Sequence, residues 1–313
     1  MQKDGSLIFA RTKKDEPIAK SEPDNIWYNK IVYMIKKLFI YGLFAIGTGL
    51  LLLNLVGQFT SLRNQAVYQP GLDTIDGHIP LTEQQFFEKI AVDSTDPKAY
   101  ALLVNKTVHL GLIQYWADQG IDEFHLRMPV NENYILYLAS YIFPDEFTKY
   151  ELLDYHQAIE RGVGLCSEHA IVSTAILSEK GIPASLIGLG GHVVLQAQVD
   201  PYRNEWWIFD PDYGVVIPDN IDHVEKDPKL IAPYYSNAGY DQKTVNLLEQ
   251  IYAPPENVKY TPGVAAFSPK KAVYEPLSYV LIWVIPLGLM FPGALGLFNS
   301  ISICFNKPGK TSE

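Results

Sequence analysis

The chain has 313 residues, 48% of them hydrophobic and 19% charged, enough for one or two domains with buried cores. Its formal charge of −10 and the lack of any basic stripe exclude nucleic acid as the expected partner, because phosphates need clustered lysine and arginine to neutralise them. Two cysteines, Cys166 and Cys304, exclude a disulfide framework.

Residues 1–37 mix charges with Pro17 and Pro23, and as far as about residue 30 they show no apolar period, which predicts a disordered tail. Residues 38–57 then run uncharged for about the twenty positions needed to cross roughly 30 Å of hydrocarbon at 1.5 Å per residue. The segment starts too far in, is too long, and lacks a following small-residue cleavage site, so a retained span is expected rather than a signal peptide. Lys3, Arg11, Lys13, Lys14, Lys20, Lys30, Lys36 and Lys37 precede it and only Arg63 closely follows, which places both termini in the cytoplasm and the intervening domain outside. Lys307 and Lys310 agree with that orientation, while Lys270 and Lys271 weigh against it. The expected location is the cell (inner) membrane, with the bilayer, a peptide or protein substrate and other envelope membrane proteins as partners.

Residues 58–80 read as a linker leaving the bilayer, and 81–150 as a helical lobe. Thr82 and Gln85 form a capping box, Asp96-Pro97 opens a second helix running through Leu112 and Ile113, and a third starts near Asn131 and stops at Pro144. In 151–235 the pattern changes. Residues 162–166 are loop, Ser167 to Lys180 has helical spacing ending at Gly181, and four short apolar or alternating runs follow from Ser185 to Ile217. One helix before several strands with hairpin-length links predicts an α+β unit with an antiparallel sheet. Residues 236–276 hold one helix, about Asp241 to Tyr252, and an extended return. Residues 277–305 are a second uncharged span, interrupted by Pro286 and Pro292, for which a kinked helix is expected over a re-entrant hairpin; 306–313 is a short tail.

Cys166 falls where a loop enters a helix. The first turn there offers a positive dipole end and N–H groups, which favour a thiolate and can hold an oxyanion, so the Cys166 backbone is one oxyanion candidate. His192 opens a strand and Asp210 closes a later one, so an antiparallel sheet can bring base and orienting carboxylate together; Asp212, beyond Pro211, is the second choice. Taken singly, a buried cysteine is usually a small hydrophobe and Asp-Pro a turn former. No histidine has ligand spacing, and no metal or cofactor is expected.

The stretch from Arg161 to Gly214 resembles the transglutaminase-like superfamily, a papain-like core: Gly-x-Cys before a helix, Gly-Ile-Pro leading into a strand, histidine at a strand start, and Asp-Pro after an aromatic strand. The resemblance covers about one sixth of the chain and implies a nucleophile, base and orienter at Cys166, His192 and Asp210. It implies acyl transfer through a thioester on peptide or protein amides, by a protease, amidase or cross-linker. It also implies a second, side-chain oxyanion donor, for which Gln157 and His156 are candidates. Two alternatives stand beside it: a catalytically silent binding or assembly module of an envelope or polysaccharide system, and an arylamine N-acetyltransferase-like enzyme, whose acetyl-CoA an outward-facing domain would not meet.

Overall fold

The computed structural model describes residues 23–69, 79–115, 120–255 and 257–305. Of the tail expected over 1–37, residues 1–22 lie outside this set, and the rest is helical. Helix α1 (Pro23–Gly57) starts well before the uncharged stretch, with proline in its first turn and no further helix breaker until Gly42. Part of the linker, 70–78, also lies outside the described residues. The resolved part is pinned rather than loose, because the Arg63 guanidinium donates to the carbonyls of Leu81, Ile159 and Glu160 and to the Tyr68 hydroxyl.

Helix α2 (Glu83–Ile90) opens on the capping box, with the Gln85 N–H donating to Thr82 Oγ1 at 3.2 Å and the Thr82 N–H to Gln85 Oε1 at 3.0 Å. Asp96 caps α3 (Pro97–Gly111). The helix expected to run through Leu112 and Ile113 stops at Gly111 instead, and Ile113 begins strand β1 (Ile113–Gln114). Asn133 caps α4 (Tyr134–Ile142), and Pro144 starts a further short helix, α5 (Pro144–Phe147). Helix α6 (Tyr155–Arg161) ends at Gly162 with φ 73, a left-handed position where glycine carries no Cβ penalty. The loop expected next contains strand β2 (Val163–Gly164), paired in parallel with β1.

Helix α7 (Cys166–Glu179) leads to β3 (Ala184–Leu189), β4 (His192–Asp200), β5 (Glu205–Asp210) and β6 (Val215–Ile217). After the short α8 (Ile221–Val224) and α9 (Ala232–Asn237), Asp241 caps α10 (Gln242–Tyr252). The return segment is more than extended chain. It supplies β7 (Val258–Tyr260) and α11 (Gly263–Phe267) before α12 (Lys271–Phe305), which is one helix through Pro276, Pro286 and Pro292 and not a hairpin.

The fold is α+β, with a five-stranded antiparallel sheet in the order β6-β5-β4-β3-β7. Alternate strand residues face opposite ways, and both faces are buried. Leu186, Leu195, Ala197 and Phe209 join α2, α3, α6 and α7 in one core; Ile187, Val194, Ile208 and Ile217 join residues of α8, α9 and α10 in another. Covering both faces explains why so few strand positions are polar.

Trp27–Gly57 and Lys271–Leu295 are helices long and apolar enough to cross a membrane. The chain divides into two compact units. One, Gly47–Gly288, contains everything from the end of α1 to the first half of α12; in the other, a methyl group on Gly293 would run into the Phe44 ring. Close glycine contacts of this kind suit helix pairing where lipid offers no hydrophobic drive.

Candidate functional site

Cys166 is the first residue of α7, and the residue before it, Leu165, has no side chain with which to cap the first-turn N–H groups. The helix end is thus open to a ligand. The loop that presents it is held from below by a buried ion pair, in which Arg161 Nη2 meets Glu168 Oε2. Arg161 also donates to the carbonyls of Val163 at 2.9 Å and Tyr150 at 2.8 Å, and Glu168 Oε1 accepts the Leu152 N–H at 3.0 Å. Burial pushes the Glu168 carboxyl up to about 7, against the opposing pull of Arg161. Gly164 is needed for the same packing, since a Cβ there would lie 2.7 Å from that of Glu168.

His192 begins β4 directly after the Gly190-Gly191 turn, where Leu189 and His192 face each other across the hairpin and Gly191 takes φ 105. Its Nε2 lies 2.9 Å from Asp210 Oδ2 at the end of neighbouring β5, and the Cys166 thiol lies close enough to the ring to help hold its charge. With Nε2 on the carboxylate, Nδ1 is the nitrogen left to face sulfur. Asp212 Oδ2 stands 3.9 Å from Nδ1, farther than Asp210 is from Nε2. Histidine and both aspartates are buried, whereas Cys166 is partly exposed and reachable from solvent.

Asp210 is supported by more than its histidine. The Tyr235 hydroxyl donates to Oδ2 at 2.6 Å and in turn meets the Tyr252 hydroxyl at 3.0 Å, while the Tyr213 N–H donates to Oδ1 at 3.3 Å. Tyr213 stands edge-on to the His192 ring, centroids 5.4 Å apart. His109 Nδ1 lies 3.2 Å from the carbonyls of both Pro211 and Asp212, bracing the turn that carries the two aspartates.

Burial works against a charged His192, but the charge and hydrogen bond of Asp210, with those of Cys166, outweigh it and raise its pKa well above the ordinary histidine value. Burial likewise opposes ionisation of Asp210, yet His192, Tyr235 and the Tyr213 N–H hold it below the usual carboxylate value. The histidine's contribution to stability is complete below the ordinary imidazole range and lost as pH rises through the raised value. That of the aspartate is present above the ordinary carboxylate range and lost as pH falls through the lowered value. Thermal unfolding of the full chain in detergent is therefore expected to peak between these limits. His192→Ala should abolish the alkaline decline, and a variant declining as the parent does would refute the assignment.

Of the side chains considered as second oxyanion donors, neither lies at Cys166. Gln157 lines a cavity of about 720 Å³ together with Ala175 and Ser178. Those residues are nine and twelve positions along α7 from Cys166, or roughly 13 to 18 Å at 1.5 Å per residue. His156 is exposed and stacks on Phe87, centroids 5.4 Å apart. Gln114 is the amide side chain that lies nearer the nucleophile loop. It is buried in β1 directly across from Gly164, two residues before the nucleophile, and its amide nitrogen donates to the Asp212 carboxylate. Gly111, which ends α3, followed by the short β-prone run Ile113-Gln114-Tyr115, is the signal that marks it.

No family model, curated protein or solved structure matches this chain. A partly exposed thiol at a helix start, an imidazole beside it and a buried carboxylate behind the imidazole can together perform nucleophilic attack on a carbonyl.

Proposed function

We propose that the chain is a membrane-anchored cysteine acyl-transfer enzyme of the transglutaminase-like kind, acting on peptide or protein amides outside the cytoplasm. The observation that carries this reading is His192 held between Asp210, at 2.9 Å, and the Cys166 thiol. In the proposed reaction His192 takes the Cys166 thiol proton and the sulfur attacks the carbonyl carbon, forming a C–S bond as the carbonyl π electrons move to oxygen. The resulting oxyanion is held by the Cys166 backbone N–H at the open end of α7. Its collapse breaks the carbonyl–nitrogen bond as His192 gives its proton to the leaving amine. Water or another amine, deprotonated by His192, then attacks the thioester and frees the sulfur.

Leu165, next to the nucleophile, lines a cavity of about 520 Å³ together with Lys270, Lys271 and Tyr274. Two of these, Lys271 and Tyr274, belong to the start of α12, so the residue before the nucleophile shares a cavity with the head of a helix apolar enough to enter a bilayer. This favours substrates presented close to the membrane surface. p-Nitrophenyl acetate, an activated ester with a coloured leaving group, tests the chemistry without knowledge of the natural substrate. A burst of p-nitrophenolate and an acetyl group recovered on Cys166 by peptide mass spectrometry are expected. An acetylation rate no greater than that of a free cysteine peptide would contradict the proposal.

A further inference from the structure

The helical lobe presents an apolar surface for which the described residues provide no cover. Leu138, Tyr141 and Ile142 of α4 and the following Phe143 are 56%, 59%, 68% and 59% exposed. Four adjacent large hydrophobic residues left open in this way mark an interaction surface rather than scattered surface apolarity. Helix α4 nonetheless has a buried side, formed by Tyr134, Leu136 and Ser140, so its placement is fixed.

Its amino end is tied to the apolar helices. The Asn133 amide donates to Ser278 Oγ at 2.9 Å, the Tyr134 hydroxyl to the Ile282 carbonyl at 3.4 Å, and Asn54 Nδ2 of α1 donates to that same carbonyl. A methyl on Gly57, the last residue of α1, would run into the Asn131 carbonyl. Beyond the other end of α4, the Phe147 ring lies 5.3 Å from that of Tyr274. The segment thus runs alongside α12 between the levels of Ile282 and Tyr274, about 12 Å of helix rise. The last charged side chain of α12 before Phe305, Glu275, falls within this window. Val273, Leu277 and Val280 of α12 and Phe59 just after α1 are also exposed apolar residues at neighbouring levels.

We propose that α4 is a membrane-interface helix whose Leu138, Tyr141, Ile142 and Phe143 lie in the headgroup and acyl boundary of the bilayer crossed by α1 and α12. The proposal rests on the reading that those two helices span. Aromatic side chains with a polar tip suit that depth, and the Tyr137 and Tyr141 hydroxyls meet at 2.9 Å. Arg127, whose Nη1 donates to Tyr141 Oη at 3.1 Å with its guanidinium 4.9 Å from the ring centroid, can reach back to headgroup phosphates. A helix seated this way gives the domain a third membrane contact and fixes its tilt over the surface.

The full chain carrying Cys166→Ser and Cys304→Ser, with an environment-sensitive fluorophore on Ile142→Cys, is reconstituted in phosphatidylcholine/phosphatidylglycerol nanodiscs. Labels on Val284→Cys, in the span, and on Tyr202→Cys, 99% exposed on a sheet loop, serve as references. Blue-shifted emission at 142, quenching by shallow spin-labelled lipid and protection from aqueous iodide are expected, with the label at 202 showing none of these. Iodide quenching at 142 equal to that at 202, while 284 is quenched by lipid, overturns the surface helix and leaves the spans intact. Absence of lipid quenching at 284 overturns the spanning reading and this inference together. Protection from iodide at 142 without lipid quenching also overturns it, because another protein or a second copy then covers the face. A label on Leu138→Cys repeats the measurement should the fluorophore at 142 disturb the helix.

Discussion

Asp210→Ala is expected to slow acetylation of Cys166 by p-nitrophenyl acetate by about 10⁴-fold, the scale seen when the orienting carboxylate of such a triad is lost. Three effects act together. The His192 Nε2 loses the acceptor that fixes its tautomer and turns Nδ1 toward sulfur. The imidazolium formed as the thiol ionises loses its largest favourable charge, so the raised pKa of His192 falls. The Tyr235 hydroxyl loses its acceptor and is left with Tyr252 in a buried site. Asp210→Asn should retain more activity than the alanine variant, because an amide oxygen still accepts from Nε2 although the charge is gone. Stopped-flow burst rates of the three proteins, with circular dichroism to verify folding, check the order. An alanine variant within tenfold of the parent would show that the carboxylate does not orient the base.

The largest stability effect is expected at the pair beneath the nucleophile loop. Glu168→Ala should destabilise the domain by about 3–5 kcal/mol, the cost of leaving a buried charge uncompensated. Arg161 would keep its carbonyl acceptors on Val163 and Tyr150 but lose its only anionic partner among the described residues, and the Leu152 N–H would lose its acceptor. The double change Arg161→Met with Glu168→Leu should cost less than either single removal, since a pair replaced by apolar groups of similar size leaves no orphan charge. Urea unfolding of the full chain in detergent, followed by tyrosine and tryptophan fluorescence, measures the three values. A loss below about 1 kcal/mol for Glu168→Ala would mean that water already solvates the pair.

Much of the site was legible locally. The start of α7 follows from Gly162, Gly164 and an apolar helical face behind Cys166, and His192 and Asp210 stand at strand ends because the glycine turn and Asp-Pro punctuate the chain there. The fold brings these residues together through ordinary hairpin pairing. What stayed hidden depends on contacts between segments distant in sequence. Gln114 directly follows a run that reads as helix through Ile113, and only β2, fifty residues on, gives β1 a partner. Tyr235 lies in a tyrosine-rich stretch with no spacing signal, and only the packing of α9 against the sheet brings its hydroxyl to Asp210. Strand β7 is short and follows a proline-rich segment, so its pairing with β3 has no local cue. The prolines of α12 predict a break in an isolated helix, whereas an apolar surrounding leaves a helix as the only way to satisfy its backbone.

The central claim is that His192 keeps the Cys166 sulfur reactive, and the rate of Cys166 alkylation by iodoacetamide at pH 6 in the full chain reads it directly. The parent protein should react faster than both a small free thiol and the His192→Ala variant. Equal rates for the parent, the variant and the free thiol would contradict the account and leave an anchored α+β domain without a working nucleophile.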